Sequence, residues 1–216
     1  TELQPQALRH LVAGIDRYGG HLSTGIQSTH RLMLELARHG EAALAWQMLT
    51  NRTFPSWLFS VDQGATTIWE RWDGWVAGRG FQDPGMNSFN HYAYGAIGDW
   101  MYRVSAGIET LGPGYKHIII QPHSSKRLTY SRASFESSYG TIASGWERKD
   151  GRIIIKVRIP ANTEASIILP AVSPDKVNEG GKALSQNIYL KDIKSTDNKV
   201  VIEAGSGEYT FEIPDK

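Results

Sequence analysis

The 216-residue sequence predicts an α-then-β protein: a helical first part, followed by an antiparallel β-sandwich. Up to about residue 111, apolar residues recur at helical spacing between long loops. From Gly112 onward they form short runs of period two, spaced roughly 8–12 residues apart by turn signals, the pattern of a sandwich. Gly112-Pro113-Gly114 breaks the chain between the two textures, which divides it into residues 1–111 and 112–216.

Leu8, Leu11, Val12 and Ile15 set a helix from Gln4 to Arg17, stopped by Gly19-Gly20. Ser23 or Thr24 is the expected cap of a second helix, about Gly25 to Ala37, with Ile26, Leu32, Met33 and Leu36 on one side and Gly40 just past its end. A third helix, about Glu41 to Leu49, follows almost at once, so the two are antiparallel neighbours. Residues 51–87 hold Pro55, Pro84, several glycines and many aromatics with little period. A structureless stretch of that length is functional or disordered, and its aromatic content argues against disorder. A last helix is expected from about Ser88 to Ile108, through Ala93, Ile97, Met101 and Val104, with Asn87 or Ser88 as its cap. Gly95 and Gly98 inside it imply a close neighbour at some cost in propensity. The β part opens with His117–Ile120. Strands follow at Leu128–Glu136 and Thr141–Arg148, and Lys149-Asp150-Gly151-Arg152 turns the chain into Ile153–Ile159 through a type I′ hairpin. Ser166–Leu169, Ile188–Leu190, Val200–Ile202 and Tyr209–Ile213 supply the rest. Four helices and a long loop close poorly on themselves, so the helical part is a small domain or one end of something larger.

Composition removes several classes of function. A formal net charge of +1 gives no broad attraction to nucleic acid or an anionic membrane. Without cysteine there are no disulfides, thiolate metal sites or thiol nucleophiles. No apolar run approaches the ~18 residues that span a bilayer. The opening Thr1-Glu2-Leu3-Gln4 is not a signal peptide, so any secretion signal is expected upstream of this chain, and the compartment, cytoplasm or periplasm, stays open. No His/Asp/Glu group has metal-ligand spacing, and no cofactor motif is present.

Tryptophan is the outlying residue: six of seven lie in the first 100 positions, and Trp69, Trp72 and Trp75 fall close together. Aromatic faces stack on the C–H faces of sugar rings, although tryptophan also simply fills cores. Glu70 sits between Trp69 and the pair Arg71-Trp72. Aromatic walls would raise its pKa and the adjacent arginine would lower it, a balance suited to a general base or acid; the plainer role is an ion pair with Arg71 or another arginine of the loop. Asp73 is three residues on, and glycosidases need paired carboxylates roughly 5–9.5 Å apart. Asp73-Gly74 is also an ordinary turn dipeptide. His91, in Asn87-Ser88-Phe89-Asn90-His91, and His21, before Leu22, are candidates to bind a sugar hydroxyl, although a lone histidine is more often a structural residue; His117 and His123 flank a strand and read as structural.

These segments carry a family likeness. Gly20-His21-Leu22-Ser23-Thr24-Gly25, Phe54-Pro55-Ser56-Trp57-Leu58, the run Gly64 to Gly74, and Met86-Asn87-Ser88-Phe89-Asn90-His91-Tyr92-Ala93-Tyr94-Gly95 resemble the C-terminal half of the catalytic domain of bacterial α-L-rhamnosidases, glycoside hydrolase family 78. Pro113-Gly114-Tyr115-Lys116-His117 and Ser138-Tyr139-Gly140 resemble the start of the β-sandwich that follows it. The resemblance implies the last helices of an (α/α)6 barrel and an inverting hydrolase acting on terminal α-L-rhamnosyl residues. It implies Glu70 as general base, His91 as a sugar contact, and Trp69 and Trp72 as wall or support. The general acid and the other sugar-gripping carboxylates belong, by the same likeness, to an earlier segment not among these residues, and Ser28 stands where the family has glycine. The expectation is a piece of such an enzyme. It would act on a rhamnose-containing carbohydrate, with self-association or a missing N-terminal part covering its bare helices. A carbohydrate-binding or purely structural remnant is the alternative.

Overall fold

The computed structural model describes residues 2–85 and 87–215. Thr1, of the opening run, and Met86, first residue of the Met86–Gly95 motif, lie outside the described residues. The chain forms two compact units, residues 1–100 and 101–216.

The first unit begins with helix α1, Gln4–Arg17, α2, Ile26–Arg38, and α3, Ala42–Thr50. Gly19 and Gly20 end α1 with φ of 66° and 75°, and Gly40 follows α2 with φ of 89°. The expected serine or threonine cap on α2 is replaced by Gly25, which makes no side-chain cap. Thr24 instead meets Thr29 hydroxyl to hydroxyl at 3.0 Å. In α2, Leu32, Met33, Leu34 and Leu36 are buried, as are Ala45, Trp46, Met48 and Leu49 of α3, which is the packing expected of antiparallel neighbours. In α1 Ile15 is the one buried residue.

The stretch expected to lack structure holds more order than its period shows. Ser56 caps a short helix α4, Trp57–Asp62, by accepting the Phe59 N–H at 3.1 Å. Two-residue strands β1, Trp75–Val76, and β2, Gly80–Phe81, form a small hairpin. The expected continuous last helix is broken. Residues 88–92 are not helical, because their backbone groups pair with residues 68–70 instead. A 3-10 turn, Ala93–Ala96, then leads into helix α5, Ile97–Trp100. Trp100 meets Trp46 edge-on at 5.0 Å, and His30 Nε2 meets Asp99 Oδ2 at 2.7 Å, so α2, α3 and α5 share one core.

The second unit opens with a π-helical turn, Met101–Ser105, and is otherwise β apart from short 3-10 turns. Ile108, expected at a helix end, lies in strand β3, Ile108–Thr110, which pairs with β4, His117–Ile120. Gly107 allows this: its φ is 80°, and a Cβ there would stand 2.2 Å from the Pro122 nitrogen. Strand β5, Tyr130–Ser137, pairs with β6, Gly140–Lys149, which pairs with β7, Arg152–Leu169. The Asp150-Gly151 turn has positive φ at both residues, 50° and 71°, as a type I′ hairpin requires. Short strands β8, Asn178–Glu179, and β9, Lys182–Ala183, precede β10, Leu190–Thr196, and β11, Lys199–Pro214.

Four expected short strands are two long ones. Ile153–Ile159 and Ser166–Leu169 are both in β7, and Val200–Ile202 and Tyr209–Ile213 are both in β11. Pro160 and Gly205–Gly207 mark an irregularity in the β7–β11 ladder, where the register shifts between Gly205 and Gly207. The strand expected at Ile188–Leu190 begins at Leu190, leaving Ile188 and Tyr189 exposed. Pairing is antiparallel except between β4 and β7. Ile118, Ile120, Ile142, Ile155, Ile167, Val200, Ile202 and Phe211 are at most 1% exposed, although the described residues of this unit form no α-helix. The sheet must therefore fold over and cover itself, as the sandwich expectation requires. Trp146 Nε1 donates to the Ser105 carbonyl at 2.8 Å and Ser144 Oγ to that of Ala106 at 2.5 Å, which ties the π turn to this core.

Beside the Val104 carbonyl, burial and then Lys199 push the His123 imidazolium below its usual pKa. The unfolded chain binds that proton more tightly. This share of stability is therefore full above the ordinary value of about 6.5 and declines as pH falls from there through the folded value. Urea unfolding between pH 7.5 and 5 is expected to show the decline in the wild-type chain and a flatter profile in His123→Gln; identical profiles would count against it.

Candidate functional site

The Trp-rich loop of the first unit is held by its own backbone. Glu70 N–H donates to the Ser88 carbonyl at 2.8 Å and His91 N–H to the Ile68 carbonyl at 2.9 Å. Thr67 Oγ1 donates to the Phe89 carbonyl. The segment 67–70 thus lies against 88–91, and Glu70 and His91 come onto adjoining stretches although 21 positions separate them in the sequence.

Glu70 is half-buried. Its Oε2 accepts the Ser88 N–H at 2.9 Å, and Oε1 has no hydrogen-bond partner among the described residues. The neighbouring arginine turns away. Arg71 Nε donates to Asp73 Oδ1 at 3.1 Å, with Asp83 Oδ2 3.9 Å from Nη1. The Asp73 hydrogen bond and charge hold the guanidinium above its ordinary pKa. The Glu70–Arg71 ion pair weighed above is not made: among the described residues no cationic group lies within 4.0 Å of Glu70. One carboxylate oxygen is fixed by a backbone donor and the other has no partner among the described residues.

The other carboxylates of the loop are engaged. Asp62 pairs with Arg52, Asp73 with Arg71, and Asp83 Oδ1 accepts the Gly85 N–H at 2.9 Å. His91 is oriented by its Nδ1, which accepts the Ala93 N–H at 3.3 Å. The neutral ring then carries its proton on Nε2, a donor with no partner among the described residues. Its ring stacks on Tyr92, which is 88% exposed. His21 is fully engaged: Nδ1 meets the Tyr18 carbonyl at 3.1 Å and Nε2 the Thr53 hydroxyl at 2.7 Å. It ties the α1–α2 turn to the loop after α3.

The tryptophans are mostly inside. Trp69 is buried and meets Phe89 edge-on at 5.2 Å. Trp72 stacks on Tyr94 with centroids 3.8 Å apart, and Trp57 packs edge-on against it at 5.1 Å. Trp57 Nε1 donates to the Tyr94 carbonyl at 3.0 Å, and Ser60 Oγ to the Trp72 carbonyl at 2.7 Å. Burial pushes the Tyr94 phenol above its usual pKa. Ser88 and Asn87, read above as helix caps, instead anchor the loop. Ser88 holds Glu70 at both ends, and Asn87 Nδ2 donates to the Gly74 carbonyl at 2.8 Å. A Cβ on Gly74 would stand 2.7 Å from Asn87 Oδ1. The Asn-Ser pair before an aromatic was visible in the sequence, but nothing local said that its partners lay on the earlier loop. Among the described residues no group of three or more His, Cys, Asp or Glu is placed to hold a metal ion.

Comparison with known proteins gives one answer. Residues 1–104 match the bacterial alpha-L-rhamnosidase 6 hairpin glycosidase domain, and residues 107–184 the bacterial alpha-L-rhamnosidase C-terminal domain. An alpha-L-rhamnosidase of Streptomyces avermitilis is 40% identical over 98% of this chain, and one of Formosa agariphila is 40% identical over 98%. The chain spans only 20% and 23% of those proteins. A crystal structure of the Streptomyces avermitilis enzyme complexed with L-rhamnose superposes with a TM-score of 0.84 at 39% identity, over 94% of this chain and 19% of that one. The native Aspergillus terreus enzyme does so with 0.82 at 28% identity, over 99% and 22%.

The packing separates residues that hold the loop from the one that it presents. Glu70→Gln keeps an acceptor for the Ser88 N–H, so it is expected to cost less than about 1 kcal/mol of stability. Trp72→Ala removes a stacked, largely enclosed ring and is expected to cost about 3–5 kcal/mol. Guanidinium unfolding of both variants checks this, and a Glu70→Gln as damaging as Trp72→Ala would make Glu70 a structural residue.

Proposed function

We propose that this chain, which belongs to the bacterial α-L-rhamnosidase family, is the part of a glycoside hydrolase that carries the general base, Glu70, for removal of terminal α-L-rhamnose from a rhamnose-containing carbohydrate. The observation that supports it is the division of labour at one carboxylate. Oε2 is pinned by the Ser88 N–H while Oε1 is unpartnered, beside a loop whose arginine is committed to Asp73. A base that must take a proton from water needs a fixed position and one free oxygen. His91, with an outward donor on Nε2, is assigned to a sugar hydroxyl. Trp69 and Trp72 support the loop, and His21 positions the 51–55 segment through Thr53.

The reaction assigned is inverting hydrolysis. Water activated by Glu70 attacks the anomeric carbon from one face, and a general acid protonates the leaving oxygen on the other. Asp62 and Asp73 are committed to arginines and Asp83 to a loop N–H. We therefore assign the acid to a segment outside these 216 residues. The proposed division is 1–111 for the catalytic helices and 112–216 for the accompanying β domain.

Assembled with the remainder of such an enzyme, Glu70→Gln is expected to lower kcat for 4-nitrophenyl α-L-rhamnopyranoside by about 10²–10⁴-fold, with little change in KM. Full activity in that variant would overturn the base assignment. The chain alone is expected not to turn over. Exposed Leu3, Leu11, Tyr18 and Ile26 around α1 and α2 favour association, so size-exclusion chromatography is expected to show oligomers; a clean monomer would count against it. The second reading, a carbohydrate-binding remnant, predicts that L-rhamnose shifts the tryptophan fluorescence of the lone chain without any hydrolysis.

A further inference from the structure

Among the described residues β3, β5, β9 and β10 each pair with a single neighbour, so the sheet of the second unit has open strand edges. Strands β3 and β9 run only three and two residues, too short to template a partner. Strand β10 is protected. Its register shifts between Lys191 and Lys194, and an irregularity with edge lysines is the usual obstacle to further pairing. Strand β5, Tyr130–Ser137, has neither device. It runs eight residues in unbroken register with β6 and holds no lysine, proline or glycine.

The hydrogen bonding to β6 fixes which residues of β5 face the open edge. Just before the strand, the Arg148 N–H donates to the Thr129 carbonyl at 2.8 Å, in the same register as the β5–β6 ladder. Backbone groups alternate in direction along a strand, so the odd-numbered residues of β5 aim theirs at β6. Tyr130, Arg132, Ser134 and Glu136 aim theirs at the open edge, and their side chains share the exposed face. Ser131, Ala133, Phe135 and Ser137 lie half-buried on the other face. Arg132 and Glu136 stand the same distance along the chain on either side of Ser134, with opposite charges. Neither makes an ion pair among the described residues: Arg132 lies over the Tyr130 ring, and Glu136 accepts the Thr141 hydroxyl.

We propose that β5 pairs antiparallel with β5 of a second copy of this chain, about a twofold axis at Ser134. Such a contact is self-complementary, and residues opposite one another in a ladder share a face. Arg132 then meets the partner's Glu136, and Glu136 the partner's Arg132. On the other face Ala133 meets the partner's Phe135, small against large, and Ser131 meets the partner's Ser137. The even-numbered residues, whose N–H and C=O already aim outward, are the ones that exchange backbone hydrogen bonds. The charges also select the register. A slip by two residues sets Arg132 opposite Ser134 or Ser138, and a slip by four sets Arg132 opposite Arg132 or Glu136 opposite Glu136. The inference does not rest on the rhamnosidase reading, and it is separate from association through the apolar residues of α1 and α2.

Disulfide cross-linking reads this one pairing. The chain has no cysteine, so Ser134→Cys carries a single thiol. Across the twofold its two Cα atoms would stand about 5.5 Å apart, within the span of a disulfide. Oxidation of the whole chain in dilute solution is expected to give a covalent dimer of Ser134→Cys, and to do so about tenfold more slowly for Asp197→Cys, whose thiol lies in the exposed β10–β11 turn. Adding Arg132→Glu or Glu136→Arg to Ser134→Cys is expected to slow dimer formation about tenfold, because like charges then oppose across the axis. Mixing those two double variants is expected to restore the rate, as a heterodimer resolved by mass. Equal rates for Ser134→Cys and Asp197→Cys, no effect of the charge changes, or no recovery in the mixture would each overturn the proposal. Recovery needs both double variants folded, so misfolding cannot produce the expected result.

Discussion

Across an excursion of 18 residues, Glu70 and Ser88 are joined twice: by a backbone bond from the Glu70 N–H, and by a return bond from the Ser88 N–H to the Glu70 carboxylate. A third bond, from His91 N–H to the Ile68 carbonyl, carries the pairing on. Closing a loop costs entropy that grows only slowly with length, so a few such bonds, backed by packing, can hold it. The backing comes from Trp57, Trp72 and Tyr94 beneath the loop and from Trp69 against Phe89. The same constraint explains why no helix starts at Ser88: its carbonyl and amide are already in use by the earlier segment.

That arrangement resolves the two readings of a Trp-dense loop. The tryptophans fill a core, as the plainer view held, yet the core they fill lies under a carboxylate with one oxygen free. A large buried aromatic contributes several kcal/mol and leaves little rotational freedom around it, so the acidic group is placed by packing more than by charge. Arg71 illustrates the point. Adjacent in sequence to Glu70, it spends its hydrogen bonds on Asp73 and leaves the Glu70 carboxylate without a cationic partner among the described residues.

The first three helices were legible because periodicity and glycine stops are local signals, and Gly19, Gly20 and Gly40 adopt the positive φ that those signals require. The Asp150-Gly151 hairpin was legible for the same reason. The helix α4 was missed because six residues hold less than two turns, too few for a period to show, although Ser56 was in place to cap it. The join of Ile153–Ile159 to Ser166–Leu169 was missed because Pro160 looks like a stop, and only the facing strand reveals that the ladder resumes after it. Glu70 was singled out by its neighbours and by family likeness. What holds it was not, since Ser88 and Asn87 act through contacts that cross the loop.

Strands β7 and β11 run 18 and 16 residues and stay paired with one another through most of their length. Every other strand of the second unit except β3, β5 and β9 pairs directly with one of these two, and those three each attach through a single intermediate. Folding of this unit therefore hinges on one long-range pairing whose partners lie far apart in the chain. The two long strands are each other's template, so amide exchange across the β7–β11 ladder is expected to follow the opening of that one pairing.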